Sequence, residues 1–299
     1  MAAGGEGLLV SALPVPAAPD ALYARDGDHY EASELTRGPW DADSQHAGPP
    51  AALIGRELEL VPAEAPMQIG RITFEILRPV PITRLRVAAE VVRPGRSVEL
   101  LEAGLWAGSE QLIRATAWRL RTGPVELPAE PAAGENAGGA AEPSSKLRPG
   151  YSPRGPGYSS PRDFFPTGEQ VGYHTAMEYR FAAGAFLEPG PATVWMRMRH
   201  PLVAGEEPTA LQRVLVAADS GNGVSAALDW RRYLFINVDL TVHLHRLPEG
   251  EWVCLDAITI PEENGVGLAD TALYDERGPI GRAAQTLLVR ERNPLDAGH

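Results

Sequence analysis

Between Gln68 and Arg121 the chain is a succession of alternating apolar and polar runs, and the same texture returns between Leu234 and Arg290. A period of two marks strands buried on one face. It predicts strands near Gln68–Arg78, Thr83–Arg93, Val98–Trp106 and Leu112–Arg121, then near Leu234–His245, Glu251–Pro261, Val266–Tyr274 and Ile280–Arg290. Tyr173–Phe181 and Ala192–Arg199 alternate in the same way. The period changes to 3.6 over Pro208–Ala218, where Leu211, Val214, Leu215 and Ala218 share one helical face and Asp219–Gly223 (DSGNG) ends the helix. A second helix is predicted after HAGPP, about Ala51–Leu60. Each helix has an apolar stripe to cover, and the concave face of a curled sheet covers it. The class is α+β.

From Gly123 to Pro166 the pattern disappears into Pro, Gly, Ala and Ser. Such a stretch buries too little apolar surface to offset its ordering entropy, so it reads as a linker. Its Tyr151, Tyr158, Phe164 and Phe165 are candidates to anchor the end of the linker on the folded body. The expected organisation is therefore 1–122, a linker over 123–166, and 167–299.

The two halves resemble each other at one ungapped offset of 168. RITFEILR (Arg71–Arg78) falls over DLTVHLHR (Asp239–Arg246), and Thr73 falls on Thr241. Val98 then meets Val266, Leu105 meets Leu273, Arg114 meets Arg282 and Leu120 meets Leu288. Matching strand-like runs and turns over about fifty residues point to an internal duplication.

Composition narrows the chemistry. Of 299 residues, 27 are basic and 39 acidic, a net charge of −12 that argues against nucleic acid or an anionic membrane as partner. The single cysteine, Cys254, excludes an internal disulfide framework and a Cys-rich zinc site. No Gly-x-Ser-x-Gly elbow occurs, which argues against an α/β-hydrolase. His243, His245 and His200 come with no carboxylate at ligand spacing, so no metal is expected. No targeting stretch or membrane-length apolar run is found, which points to the cytoplasm.

A helix wrapped by an antiparallel sheet, duplicated in one chain, resembles the double hotdog of type II acyl-CoA thioesterases and their thioesterase-like relatives. The segments that carry the resemblance are GPWDADSQHAGPPAALI, AADSGNG, NVDLTVHLHR and GRAAQTLLVRER. The resemblance implies hydrolysis of an acyl thioester, carried by coenzyme A or an acyl carrier protein, with no cofactor. It also implies that a water is held by an Asp at the end of the second helix, a hydroxyl on the next strand and a Gln on the last strand. By motif position these are Asp219 and Gln285. The hydroxyl position is occupied by Asn237, and Thr241 matches a second hydroxyl position of the family. The offset places Asp219 on Ala51, Asn237 on Ile69 and Gln285 on Ala117, so one site per chain is expected.

Each candidate has a plainer reading. Asp219 could bond its own turn. Gln285 breaks an apolar row with Ala283, Leu287 and Val289, which favours a buried, bonded amide. Asn237, Asp239, Thr241, His243 and His245 read as one strand face, which could simply be solvated. His46 and Gly48, at a helix start with free N–H groups, are candidates to bind substrate and its developing oxyanion. Arg231 and Arg232 are candidates for the anionic carrier. A thioester-binding protein without hydrolysis, suggested by Asn237, and a hydratase or dehydratase, which needs a His–carboxylate pair in the pocket, stay open as alternatives. Monomer and homo-oligomer also both remain open.

Overall fold

The computed structural model describes residues 19–126 and 152–292. Its first half runs β1 (Tyr23–Asp26), β2 (His29–Ala32), α1 (Gly48–Leu60), β3 (Met67–Ile76), β4 (Arg84–Arg93), β5 (Val98–Ala107) and β6 (Glu110–Arg121). The second opens with α2 (Tyr173–Ala176), β7 (Met177–Ala185), β8 (Glu188–Met198), α3 (Ala210–Ala218) and α4 (Gly221–Val224). It continues through β9 (Tyr233–Asn237), β10 (Asp239–Leu244), β11 (Val253–Pro261), β12 (Val266–Asp275) and β13 (Gly278–Glu291). One antiparallel sheet takes the order β1-β2-β4-β5-β6-β3-β10-β13-β12-β11-β8-β7, with β9 beside β13. Helices α1 and α3 lie against it, the hotdog arrangement.

The halves join where β3 pairs with β10, in a register that sets Thr241 opposite Thr73. These residues are 168 apart, the offset of the sequence repeat, and their hydroxyls hydrogen-bond at 3.1 Å. A residue paired with its own copy marks the pseudo-twofold axis. The copies correspond strand by strand: Ala269 pairs with Gln285 as Leu101 pairs with Ala117. The helices do not follow the same offset. Nine positions separate the end of α1 from Ile69, against nineteen from the end of α3 to Asn237, and the extra ten hold α4. Asp219 therefore has its structural counterpart at the end of α1, near Val61, and not at Ala51.

Three local expectations change. Tyr173–Ala176 is a helical turn, and the strand begins at Met177. The expected strand Leu234–His245 breaks at Val238, whose N–H goes to the Thr286 carbonyl. One irregular residue moves every later side chain to the other face. Phe235 and Asn237 thus point inward, whereas Leu240, Val242 and Leu244 are the buried members of β10 and Thr241 and His243 turn outward. The first half repeats the device, with a register shift at Gly70 between Ile69 and Arg71. The hairpin β1–β2, short and polar, gave no periodic signal.

Helix α3 is buried on nearly every side, not along one stripe, because α1 covers the side the sheet leaves open. Thr209 caps it in a reciprocal box with Gln212. The two helices run antiparallel: Thr209 at the start of α3 donates to Glu59 at the end of α1 (2.7 Å), while His46 before α1 meets Asp219 after α3. A Cβ on Gly48 would stand 2.3 Å from the Val216 carbonyl oxygen, and one on Gly55 would meet the Leu215 side chain. Of the linker residues, Tyr151 lies outside the described residues and Tyr158 is 85% exposed, so it anchors nothing. Phe165 is 5% exposed and Phe164 packs beside it.

The close approach at Gly48 is to backbone, which cannot rotate away, whereas Leu215 can shift rotamer. Gly48→Ala is expected to cost about 2 kcal/mol or more, and Gly55→Ala clearly less, in urea unfolding of the two variants.

Candidate active site

At the meeting of the α1 start, the α3 end and β9 lies a cavity of about 460 Å³. His46, Asp219 and Asn237 line it, with a wall made mostly of aromatic and aliphatic side chains. Such a slot is sized for a small ligand.

Asp219 is the last residue to continue α3, and its carboxylate is buried. A buried charge must be compensated by donors. Asn237 donates from Nδ2 to Asp219 Oδ1 at 2.8 Å. Gln285, 2% exposed, donates from Nε2 to the same Oδ1 at 3.2 Å and to the Asp219 carbonyl at 3.1 Å. Its Oε1 accepts the Asn222 N–H at 3.1 Å. The orientation of this amide is fixed, since only the NH2 end suits two oxygens and only the carbonyl end suits an N–H. Both of its ends are occupied within the protein, so Gln285 positions Asp219 and has no hydrogen left for a water. Asn237 also points its Nδ2 at the Asp239 carbonyl (3.3 Å), and its Oδ1 has no hydrogen-bond partner among the described residues. Gly221 makes room for this arrangement: a Cβ there would stand 2.4 Å from Thr271 Oγ1 and 3.3 Å from Gln285 Oε1.

Asp219 Oδ2 faces His46 Nδ1 at 3.2 Å. The imidazole stacks on Tyr173, centroid to centroid 3.8 Å, and the Tyr173 hydroxyl donates to the Val216 carbonyl at 2.6 Å. Burial holds the His46 pKa below its ordinary value, and the nearby Asp219 carboxylate offsets part of that shift. Nδ1 also lies 3.1 Å from the Gly48 N–H. A lone pair there serves Gly48 and a hydrogen serves Asp219. The tautomer is therefore tied to the protonation of the carboxylate.

The structure brings together Asp219, Gln285, Asn237 and His46, and separates the rest. Thr241 sits on the outer face of the sheet, bonded to Thr73, because the break at Val238 turned it away. Gly48 offers no free amide: its N–H faces His46, the next two residues are prolines, and the Ala51 N–H goes to the Ala47 carbonyl. The start of α1 is thus no oxyanion hole, and Gly48 serves helix packing. Arg231 lies over the Trp230 ring and Arg232 pairs with Glu291 at 2.8 Å, both outside the cavity. The cations on its lining are Arg78, two residues past the end of β3, and Arg292, just after β13. Sequence reading missed them and Asn222; the ends of strands flanking the seam were the available signal.

The chain matches a family model described as the acyl-CoA thioesterase N-terminal domain over residues 36–120, and one described as the C-terminal domain over 154–289. No curated protein matches it. Among solved structures it is similar to a candidate thioesterase II from Thermobifida fusca (16% identity, 92% of this chain and 96% of that one, TM-score 0.66). It is also similar to a conserved hot dog protein from Alicyclobacillus acidocaldarius (16%, 92% and 97%, 0.65). A third is the acyl-CoA thioesterase II TesB2 of Mycobacterium marinum (13%, 91% and 95%, 0.55). At these identities the likeness is one of fold. With both domain models matched in order across the two halves, the chain belongs to the double hotdog acyl-CoA thioesterase family.

Proposed function

We propose that this protein hydrolyses an acyl thioester at the cavity beside Asp219, by a water activated there. The observation that carries the reading is the buried carboxylate whose Oδ1 is fixed by two amides while Oδ2 faces a histidine on the cavity wall. The water oxygen attacks the thioester carbonyl carbon as its proton passes to Asp219. The tetrahedral intermediate then expels the thiolate, the C–S bond breaks, and the thiolate leaves as the thiol once protonated. Asn237, where relatives carry a hydroxyl, keeps Oδ1 as acceptor for the second hydrogen of the water. In the Nε2–H tautomer the Nδ1 lone pair, which accepts the Gly48 N–H, also takes the proton that Asp219 Oδ2 acquires, and the imidazole becomes an imidazolium. His46 is then the next station for the proton on its way to the leaving thiolate. Gln285 is a positioning residue.

The same His–carboxylate pair favours a second reading, addition of water to an enoyl thioester. The family membership supports hydrolysis first. Loss of enoyl absorbance without thiol release, on a panel of acyl- and enoyl-CoA esters, would replace the one reading by the other. Saturable binding with neither reaction would leave an acyl-thioester binding protein without catalysis.

Asp219→Asn is expected to lower thiol release at least about a hundredfold with an unchanged melting temperature, since a general base is worth roughly 10²–10⁴ in rate. Wild-type turnover by that variant would end the proposal. His46 gives a pH test. Its folded-state pKa lies below the unfolded value of about 6.5, so the unfolded chain takes up the proton first as the pH falls. The neutral ring's contribution to stability is complete above about 6.5 and declines as the pH drops toward the folded value. His174, lowered by burial in the same direction, contributes alike. Urea titrations from about pH 5 to 8 should show His46→Gln with a shallower loss at the acid end than the wild type.

A further inference from the structure

The wall of the cavity is unusually rich in rings. Trp40, Phe164, Phe165, Tyr179, Phe186 and Phe235 all line it. They are mutually arranged: Trp40 stacks on Phe165 at 5.0 Å and meets Phe235 edge-on at 6.0 Å. Phe164 stacks on Phe165 at 4.1 Å and takes Phe186 edge-on at 4.5 Å. Four of the six phenylalanines in the chain are gathered here. Phe186 is itself backed by the buried Phe181 at 4.9 Å, and the cavity as a whole measures only about 460 Å³. At the other side Trp40, although stacked on one face, is 44% exposed, so ring surface is left available to a ligand.

Resting on the thioesterase reading above, we infer that the acyl group is a compact aromatic one, of the arylacyl or arylacetyl class, held among Trp40, Phe165 and their neighbours beside Asp219. A flat ring inserted among rings gains edge and face contacts that a methylene chain of equal area does not, worth up to roughly tenfold per pair. Two of the walls, Phe164 and Phe165, come from the segment that joins the halves, so that segment sets specificity while the strands and helices supply the chemistry.

The test is a comparison of phenylacetyl-CoA and benzoyl-CoA with hexanoyl-CoA and octanoyl-CoA, read as ratios of kcat/KM by thiol release. The wild type should prefer at least one aromatic ester by about tenfold or more. Phe165→Ala should reduce that ratio by about tenfold, and Trp40→Leu, at an exposed position that tolerates change, should reduce it as well. A wild-type preference for the straight chains, or a ratio unmoved in both variants, overturns the inference. If no ester is hydrolysed, the thioesterase reading fails by itself. Calorimetric titration of the wild type with phenylacetyl-CoA and hexanoyl-CoA then decides the present point, and equal or weaker binding of the aromatic ester rejects it.

Discussion

A carboxylate taken out of water must be compensated by hydrogen-bond donors, and the centre of this protein is built around that requirement. Asp219 obtains two amide donors on one oxygen from two strands far apart in sequence. Each donor depends on a separate backbone feature. Asn237 faces inward only because the strand breaks one residue later, at Val238. Gln285 can reach only because residue 221 has no side chain to occupy the space. His46 meets the other oxygen because the helices approach closely enough for a glycine to lie on the Val216 carbonyl. The glycines, the broken strand and the helix pair are therefore parts of one device that keeps a charged oxygen buried yet beside a cavity.

Much of this was legible in the sequence, for identifiable reasons. The duplication was readable because strands keep their length, so a single offset runs through β3 to β6 and β10 to β13, and the seam falls on the residue pair that the offset relates. Gln285 was readable as a polar residue in an apolar row. The failures also have physical causes. Period-two reasoning assumes an unbroken strand; the irregularity at Val238 reversed the faces and sent Thr241 outward while Asn237 turned in. The offset was carried through a loop ten residues longer in one copy, which matched Asp219 to the wrong partner. Gly48 looked like a donor because helix starts usually are, but two prolines and a histidine acceptor remove that property here.

The opposite end of the helix pair shows what became of the second copy. There the pseudo-twofold axis brings the end of α1 to the start of α3, and Glu59 accepts from Thr209 as Asp219 faces His46 at the cavity end. Nearby, Arg56 grips Glu206 through two hydrogen bonds of 2.6 Å and also holds the Tyr30 hydroxyl. Isoleucine and alanine stand where Asn237 and Gln285 would be needed. One copy keeps the polar grip and the other has become a charge-paired clasp.

The connecting segment ends by pressing Phe164 and Phe165 into the cavity rather than running past it. Connections tolerate insertion and exchange better than strands do. Changes in that tether reshape the cavity wall without disturbing the buried carboxylate and its amide donors, so the two parts are free to evolve at different speeds.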